Sequence, residues 1–180
     1  MVEIEIQNIV ASGRIADSLD LQVLSLAMDD DGATYRPKQF PGLVYRMREP
    51  KVVILLFSSG KVVCTGGKSA EQAREAVKKV AEKAAAAGAK VRDELDVEIQ
   101  NIVATADLKT GFDLSLIATT LLSEDVEYEP EQFPGLVYRL REPKAVLLVF
   151  RTGKVVCTGT RTPEDAALAV DRFLDAVKGM

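Results

Sequence analysis

The residues of this chain whose types and spacing could do chemistry are suited to gripping a partner rather than to reacting with one. Four phenylalanines (Phe40, Phe57, Phe133, Phe150) recur together with two amides (Asn8, Asn101), two threonines (Thr65, Thr158) and four cations (Arg46, Lys61, Arg139, Lys154). None of the 180 residues is histidine, so the usual neutral-pH proton shuttle and the commonest transition-metal ligand are both missing. The two cysteines, Cys64 and Cys157, each sit inside "KVVCTG", where a thiol serves as a small hydrophobe on a strand. The runs "SSGK" and "RTGK" lack the upstream glycine of a phosphate-binding loop and read as hairpin turns. No catalytic constellation, metal or cofactor is expected, and the chain reads as a non-enzyme.

The elements that must position these residues are written twice. "LVYRMREPKVVILLFSSGKVVCTG" at 43–66 returns as "LVYRLREPKAVLLVFRTGKVVCTG" at 136–159, and the same shift of 93 takes Asn8 to Asn101, Phe40 to Phe133, Phe57 to Phe150 and Thr65 to Thr158. A period this long is a duplicated half-domain rather than a solenoid unit, with half-repeats at 1–90 and 91–180. Each half opens with a strand ("VEIEIQNIVA", then "LDVEIQNIVA"). A short helix follows near "LDLQVLSLAM" or "FDLSLIATTLL", then several strands joined by tight turns at "EPK" and at Gly60 or Gly153, and finally a longer helix. Hairpins imply an antiparallel sheet. The last helices carry Ser69 with Gln72 as a capping box and Thr162 before Pro163 as an N-cap. Their apolar stripes are Ala73, Val77, Val80 and Ala84, and Ala166, Val170, Phe173 and Val177. The tract "AEKAAAAGAKVRDEL" continues the first of these helices up to Gly88, and "DDD" at Asp29 to Asp31 reads as a solvated loop. Composition is that of an ordinary globular protein, at 47% hydrophobic and 28% charged residues. Neither end carries a basic stretch leading into an apolar one, no apolar stretch approaches roughly 18 residues, and the expectation is a soluble, intracellular protein.

"VVILLF" is apolar at every position, although a strand covered on one side needs apolar residues only at alternate ones. If the helices cover Val52, Ile54 and Leu56, the opposite face carries Val10, Phe40, Val44, Val53, Leu55, Phe57 and Val63, and its repeat carries Val103, Phe133, Val137, Val146, Leu148, Phe150 and Val156. At roughly 50 Å² open per side chain these make roughly 700 Å², above the usual largest patch of a monomer. Such a face wants a partner. The net charge of -4 conceals a local basic field: residues 36–68 hold seven basic residues against one acidic, and residues 129–161 hold six against three. An apolar centre with a few amides and hydroxyls and a basic rim fits a DNA minor groove, whose floor offers sugar edges and acceptors between two phosphate ribbons. Apolar wedges between base steps kink a duplex and open that groove, a task for the paired phenylalanines. The competing reading is a protein-interaction module that buries this face on another protein or, without DNA, on a second copy as a homodimer.

"QNIVA", "QFPGLVYR", "REPK" and "GKVVCTG", each present twice, make the chain resemble the TATA-box-binding family in its archaeal form, over essentially its whole length. The resemblance implies a saddle: a pseudo-twofold α+β fold with a curved ten-stranded antiparallel sheet and helices on the convex face. It implies a general transcription initiation factor of the archaeal cytoplasm and nucleoid, with double-stranded TATA-box DNA, transcription factor B and RNA polymerase as partners and no membrane association. Phe40, Phe57, Phe133 and Phe150 would intercalate. Asn8, Asn101, Thr65 and Thr158 would address base acceptors, and Val10, Leu55, Val63, Val103, Leu148 and Val156 would line the groove floor. Arg46, Lys61, Arg139 and Lys154 would hold phosphates, with Ser58 and Ser59 as weaker candidates. Where the first repeat reads "YRPKQF" the second reads "YEPEQF", and by resemblance Glu129 and Glu131 would receive transcription factor B.

Overall fold

Apolar residues at every second position, broken by turns, give short antiparallel strands, and two amphipathic stripes per repeat give helices to cover them. The computed structural model describes residues 1–122 and 125–180. The chain is α+β, with ten strands in antiparallel sheet and four α-helices among the described residues. Residues 8–100 form one compact unit and residues 1–7 with 101–180 the other. In the first repeat β1 (Glu5–Ala16), β2 (Ala33–Tyr35), β3 (Leu43–Met47), β4 (Val52–Leu56) and β5 (Lys61–Gly67) are ordered β2-β3-β4-β5-β1. In the second, β6 (Val91–Asp107), β7 (Val126–Glu127), β8 (Leu136–Arg141), β9 (Lys144–Val149) and β10 (Lys154–Thr160) are ordered β6-β10-β9-β8-β7. The helices are α1 (Leu21–Ala27), α2 (Ala70–Ala86), α3 (Leu114–Leu121) and α4 (Pro163–Ala176). None is long and apolar enough to cross a membrane, among the described residues.

Helix starts follow the expected side-chain chemistry. Asp20 and Asp113, one repeat apart, accept from the N–H groups of Val23 and Leu116 at 3.2 and 3.0 Å and so satisfy open donors of α1 and α3. Ser69 accepts from Gln72 N–H at 3.1 Å and Thr162 from Asp165 N–H at 3.1 Å, with Pro163 in the first turn of α4. The capping box of α2 differs in one respect: Gln72 Oε1 accepts from Lys68 N–H at 3.0 Å, one residue before the cap. The helix stops at Ala86, and Gly88 takes φ 98° just beyond. Gly60 and Gly153 hold the left-handed hairpin positions at φ 85° and 90°.

The "DDD" run departs from a plain solvated loop. Asp29–Asp31 is a short 3-10 turn, and Asp31 accepts from Lys83 of α2 at 2.8 Å; the Asp30 side chain lies outside what the structure describes. This pair fixes the turn to the helix and raises the Lys83 pKa, chiefly through that hydrogen bond.

The alternation within "VVILLF" sets the core. Val52, Ile54 and Leu56 are buried, together with Val62, Cys64 and Ala11 of the neighbouring strands, and they share one cluster with Ala73, Val77, Val80 and Ala84 of α2. In the second unit Ala145, Leu147, Val149, Val155 and Cys157 are buried, as are Ala166, Val170 and Phe173 of α4. The rings of Phe112 and Tyr138 meet Phe173 edge-on at 5.6 and 5.5 Å. Burial pushes both thiols up to about 11, so Cys64 and Cys157 are small apolar core residues. Phe173 is fully buried, and Phe173→Ala is expected to remove about 3–5 kcal/mol of unfolding free energy; a urea titration showing a loss below about 1 kcal/mol would contradict this packing.

Candidate nucleic-acid interface

The other face of each sheet is built by residues of opposite parity, brought into rows by strand register. Across the first unit Val44, Leu55, Val63 and Ser12 pair in one row, and Arg46, Val53, Thr65 and Val10 in the next. Across the second, Val137, Leu148, Val156 and Thr105 form the corresponding row, and Arg139, Val146 and Thr158 the next. Every apolar member of these rows is half-buried, whereas its sequence neighbours on β4, β5, β9 and β10 are mostly fully buried. The helices therefore cover one face, and the expected set of apolar residues lies on the other.

Each repeat places two phenylalanines beside that face. Phe40 and Phe57 meet edge-on with ring centroids 5.9 Å apart and planes at 65°; Phe133 and Phe150 have the same separation and angle. Phe40 and Phe133 are exposed at 37% and 38%, while Phe57 and Phe150 are half-buried. The second ring of each pair is anchored by its backbone. Phe57 N–H donates to Lys61 C=O, and Phe150 N–H to Lys154 C=O, both at 3.0 Å, across the turn that ends the hairpin.

Sequence reasoning passed over the glycines behind these rings. A Cβ on Gly42 would lie 2.7 Å from Phe40 Cε2 and 3.1 Å from Phe57 Cε1, and Gly135 repeats both distances against Phe133 and Phe150. The signal was present in the duplicated "QFPG", but the close approach depends on where the folded chain puts the rings.

The amides sit on the same face. Asn8 Oδ1 accepts from Gly66 N–H at 2.6 Å and its Nδ2 donates to Thr65 Oγ1 at 3.3 Å. Asn101 Oδ1 accepts from Gly159 N–H at 2.7 Å and its Nδ2 donates to Thr158 Oγ1 at 3.1 Å.

The cations Arg46, Lys61, Arg139 and Lys154 are exposed, yet the repeats differ in what surrounds them. Arg139 pairs with Glu127 at 3.2 Å and Arg141 with Asp125 at 3.7 Å. The equivalent acids are absent from the first repeat, which has Thr34 and Gly32 at those positions. Lys154 lies opposite Asp107, whereas Lys61 lies opposite Arg14. Asp107 is held below the usual carboxylate range, first by the Lys109 N–H and then by the Lys109 ammonium. Glu129 and Glu131 are exposed beyond β7. The rim of the second repeat thus carries carboxylates where the first carries cations or neutral residues. Ser58 and Ser59 are exposed on the β4–β5 turn, where Ser59 Oγ accepts from Lys61 N–H at 3.4 Å.

A duplicated antiparallel α+β repeat, with one helix-covered face and one open apolar face bearing an aromatic pair, is the class defined by these features. The model of one family, transcription factor TFIID or TATA-binding protein, matches residues 3–85 and again 96–180. The TATA-box-binding protein of Archaeoglobus fulgidus is 51% identical over 98% of this chain and 95% of its own length, and that of Methanocaldococcus jannaschii is 49% identical over 98% and 94%. The solved structure of Methanococcus jannaschii TBP superposes with a TM-score of 0.90 at 49% identity, covering 99% of each chain. The chain belongs to the TATA-binding protein family.

Because the ring pairs rest on glycine, Gly42→Ala and Gly135→Ala are expected to push Phe40 and Phe133 off their partners. NMR cross-peaks between the paired rings should weaken, with about 0.5–1.5 kcal/mol of pair energy lost; unchanged cross-peaks in both variants would show that the glycines do not set ring placement.

Proposed function

We propose that this chain is a general transcription initiation factor that binds the minor groove of the A·T-rich TATA element of promoters. The observation that supports this most directly is the face that α2 and α4 leave uncovered: rows of Val and Leu end beside an edge-to-face Phe pair in each repeat. A flat groove floor accepts Val10, Leu55, Val63, Val103, Leu148 and Val156 by contact with sugars and base edges. Asn8, Asn101, Thr65 and Thr158 address the acceptors that every A·T pair presents there. Phe40 with Phe57, and Phe133 with Phe150, enter base steps and kink the duplex; unstacking costs a few kcal/mol per step and is offset by the wider surface that the open groove then touches. Arg46, Lys61, Arg139 and Lys154 meet phosphates, which makes affinity fall with salt. None of this asks for proton transfer or bond cleavage, in keeping with a binding protein rather than an enzyme.

A gel-shift and bending assay on an A·T-rich promoter tests the wedges. Phe57→Ala and Phe150→Ala are each expected to weaken the complex by about 1–3 kcal/mol, the range for losing one aromatic–base stack, and to reduce the bend. Wild-type affinity and bend in both variants would rule out wedging.

Direction on a nearly symmetric element requires unlike ends, and the unlike feature is charge. In this reading Glu129 and Glu131, which replace Arg36 and Lys38 of the first repeat, receive a basic surface of transcription factor B, which brings RNA polymerase. Glu129→Lys with Glu131→Lys is expected to abolish recruitment of that factor to the DNA complex while leaving binding to DNA alone at or above the wild-type level. Recruitment that survives the double reversal removes this role.

A further inference from the structure

The turn that leads into the first exposed ring carries two cations with nothing to hold. Pro37 presets the backbone at the second position of that turn, and the Arg36 C=O accepts from the N–H groups of Gln39 and Phe40, both at 2.9 Å. The turn follows β2, the terminal strand of its repeat, and is tied directly to the Phe40 backbone. Arg36 and Lys38 are exposed, and neither makes an ion pair or a side-chain hydrogen bond among the described residues. The second repeat builds the same turn: Glu129 C=O accepts from Gln132 and Phe133 N–H, again both at 2.9 Å. Only the charge differs. Two like charges on one short turn repel each other and add nothing to the fold, and a polyanion laid beside the turn would relieve that repulsion.

We infer that Arg36 and Lys38 form a clamp on the phosphates of the duplex just outside the element, separate from the contacts of Arg46 and Lys61 within it. The clamp rests on the minor-groove reading above. The row of Val44, Leu55, Val63 and Ser12 runs from β3 inward to β1, whereas Thr34 of β2 stands at the outer end of that row and the turn follows it. With the row over the element and Phe40 in its last step, the next phosphates outward are the ones beside the turn. Duplex DNA carries about one charge per 1.7 Å of axis, so each of these long side chains finds a phosphate within reach. Nucleic acid is the occupant because the turn is fixed to a ring that itself enters the duplex. Phosphate contacts carry no sequence information; these two would hold the flanking duplex to the first repeat whatever its sequence.

The test uses the full chain and one A·T-rich promoter duplex in two forms: intact, or with the phosphates that flank the element on both sides replaced by uncharged methylphosphonates. Treating both sides makes the result independent of which way round the protein sits. For wild-type protein the slope of log affinity against log salt is expected to be shallower by about two on the neutralised form, at roughly 0.9 per phosphate contact. Arg36→Gln with Lys38→Gln should show that shallower slope on both forms and no longer tell them apart. Wild-type slopes that agree on the two forms overturn the clamp and leave the turn to an acidic protein partner instead. A variant that loses affinity yet still distinguishes the two forms also overturns it, because its missing cations then lay over the element itself. Wild-type protein with no preference for the intact duplex over a G·C-rich one refutes the minor-groove reading, and the clamp with it, whereas equal slopes on the two forms with that preference kept remove the clamp alone.

Discussion

A β-strand has two faces, and in each repeat the long helix covers one of them. α2 and α4 pack their small stripes, mostly alanine and valine, onto Ile54, Leu56, Val62 and Cys64 or onto Leu147, Val149, Val155 and Cys157. The opposite residues remain apolar and open. Leaving them so forfeits burial that a second layer would supply, at roughly 25 cal/mol per Å². A partner that covers the face recovers it, but much is then consumed by lost translational freedom and, for a duplex, by bending. The open face is thus both the weakness of the isolated fold and the reservoir from which a complex draws.

The duplication treats mechanics and charge differently. Ring separation and angle are identical in the two Phe pairs, and the two amide clamps agree to within 0.2 Å. Packing geometry of this kind follows from strand register and from which positions are glycine, and the repeats share both. Charge is free to diverge because the rim is solvated and exposed ion pairs contribute little to stability. The sequence uses that freedom: Arg14 becomes Asp107, Gly32 becomes Asp125, Thr34 becomes Glu127, and Arg36 and Lys38 become Glu129 and Glu131. The two halves thus share their ring and amide geometry and differ in the charge around it.

Much of this was legible along the chain. Alternation assigned Val53, Leu55 and Phe57 to the open face because strand periodicity is strictly two, and the caps at Ser69 and Thr162 followed from side-chain chemistry within three residues. The reach of local reasoning shows in what it missed. The return bond of the Gln72 capping box goes to Lys68, a matter of rotamer; Asp31 of the acidic run is held by Lys83 of α2. Gly42 and Gly135 matter because two rings close over them, and nothing in the spacing of "QFPG" reveals that space.

The sequence by itself determined the duplication, the two faces of every strand and the identity of the groups on each, since periodicity and a repeated string need no third dimension. The tertiary structure decided how those groups are aimed. Asn8 meets Gly66 across 58 residues and Thr65 across 57, and residues 1–7 pack with 101–180, where Val2 N–H reaches Asp171. Register and bulges fix such contacts only once the sheet has formed, because the hydrogen-bond partner of a side chain far along the chain is set by strand pairing and not by local preference.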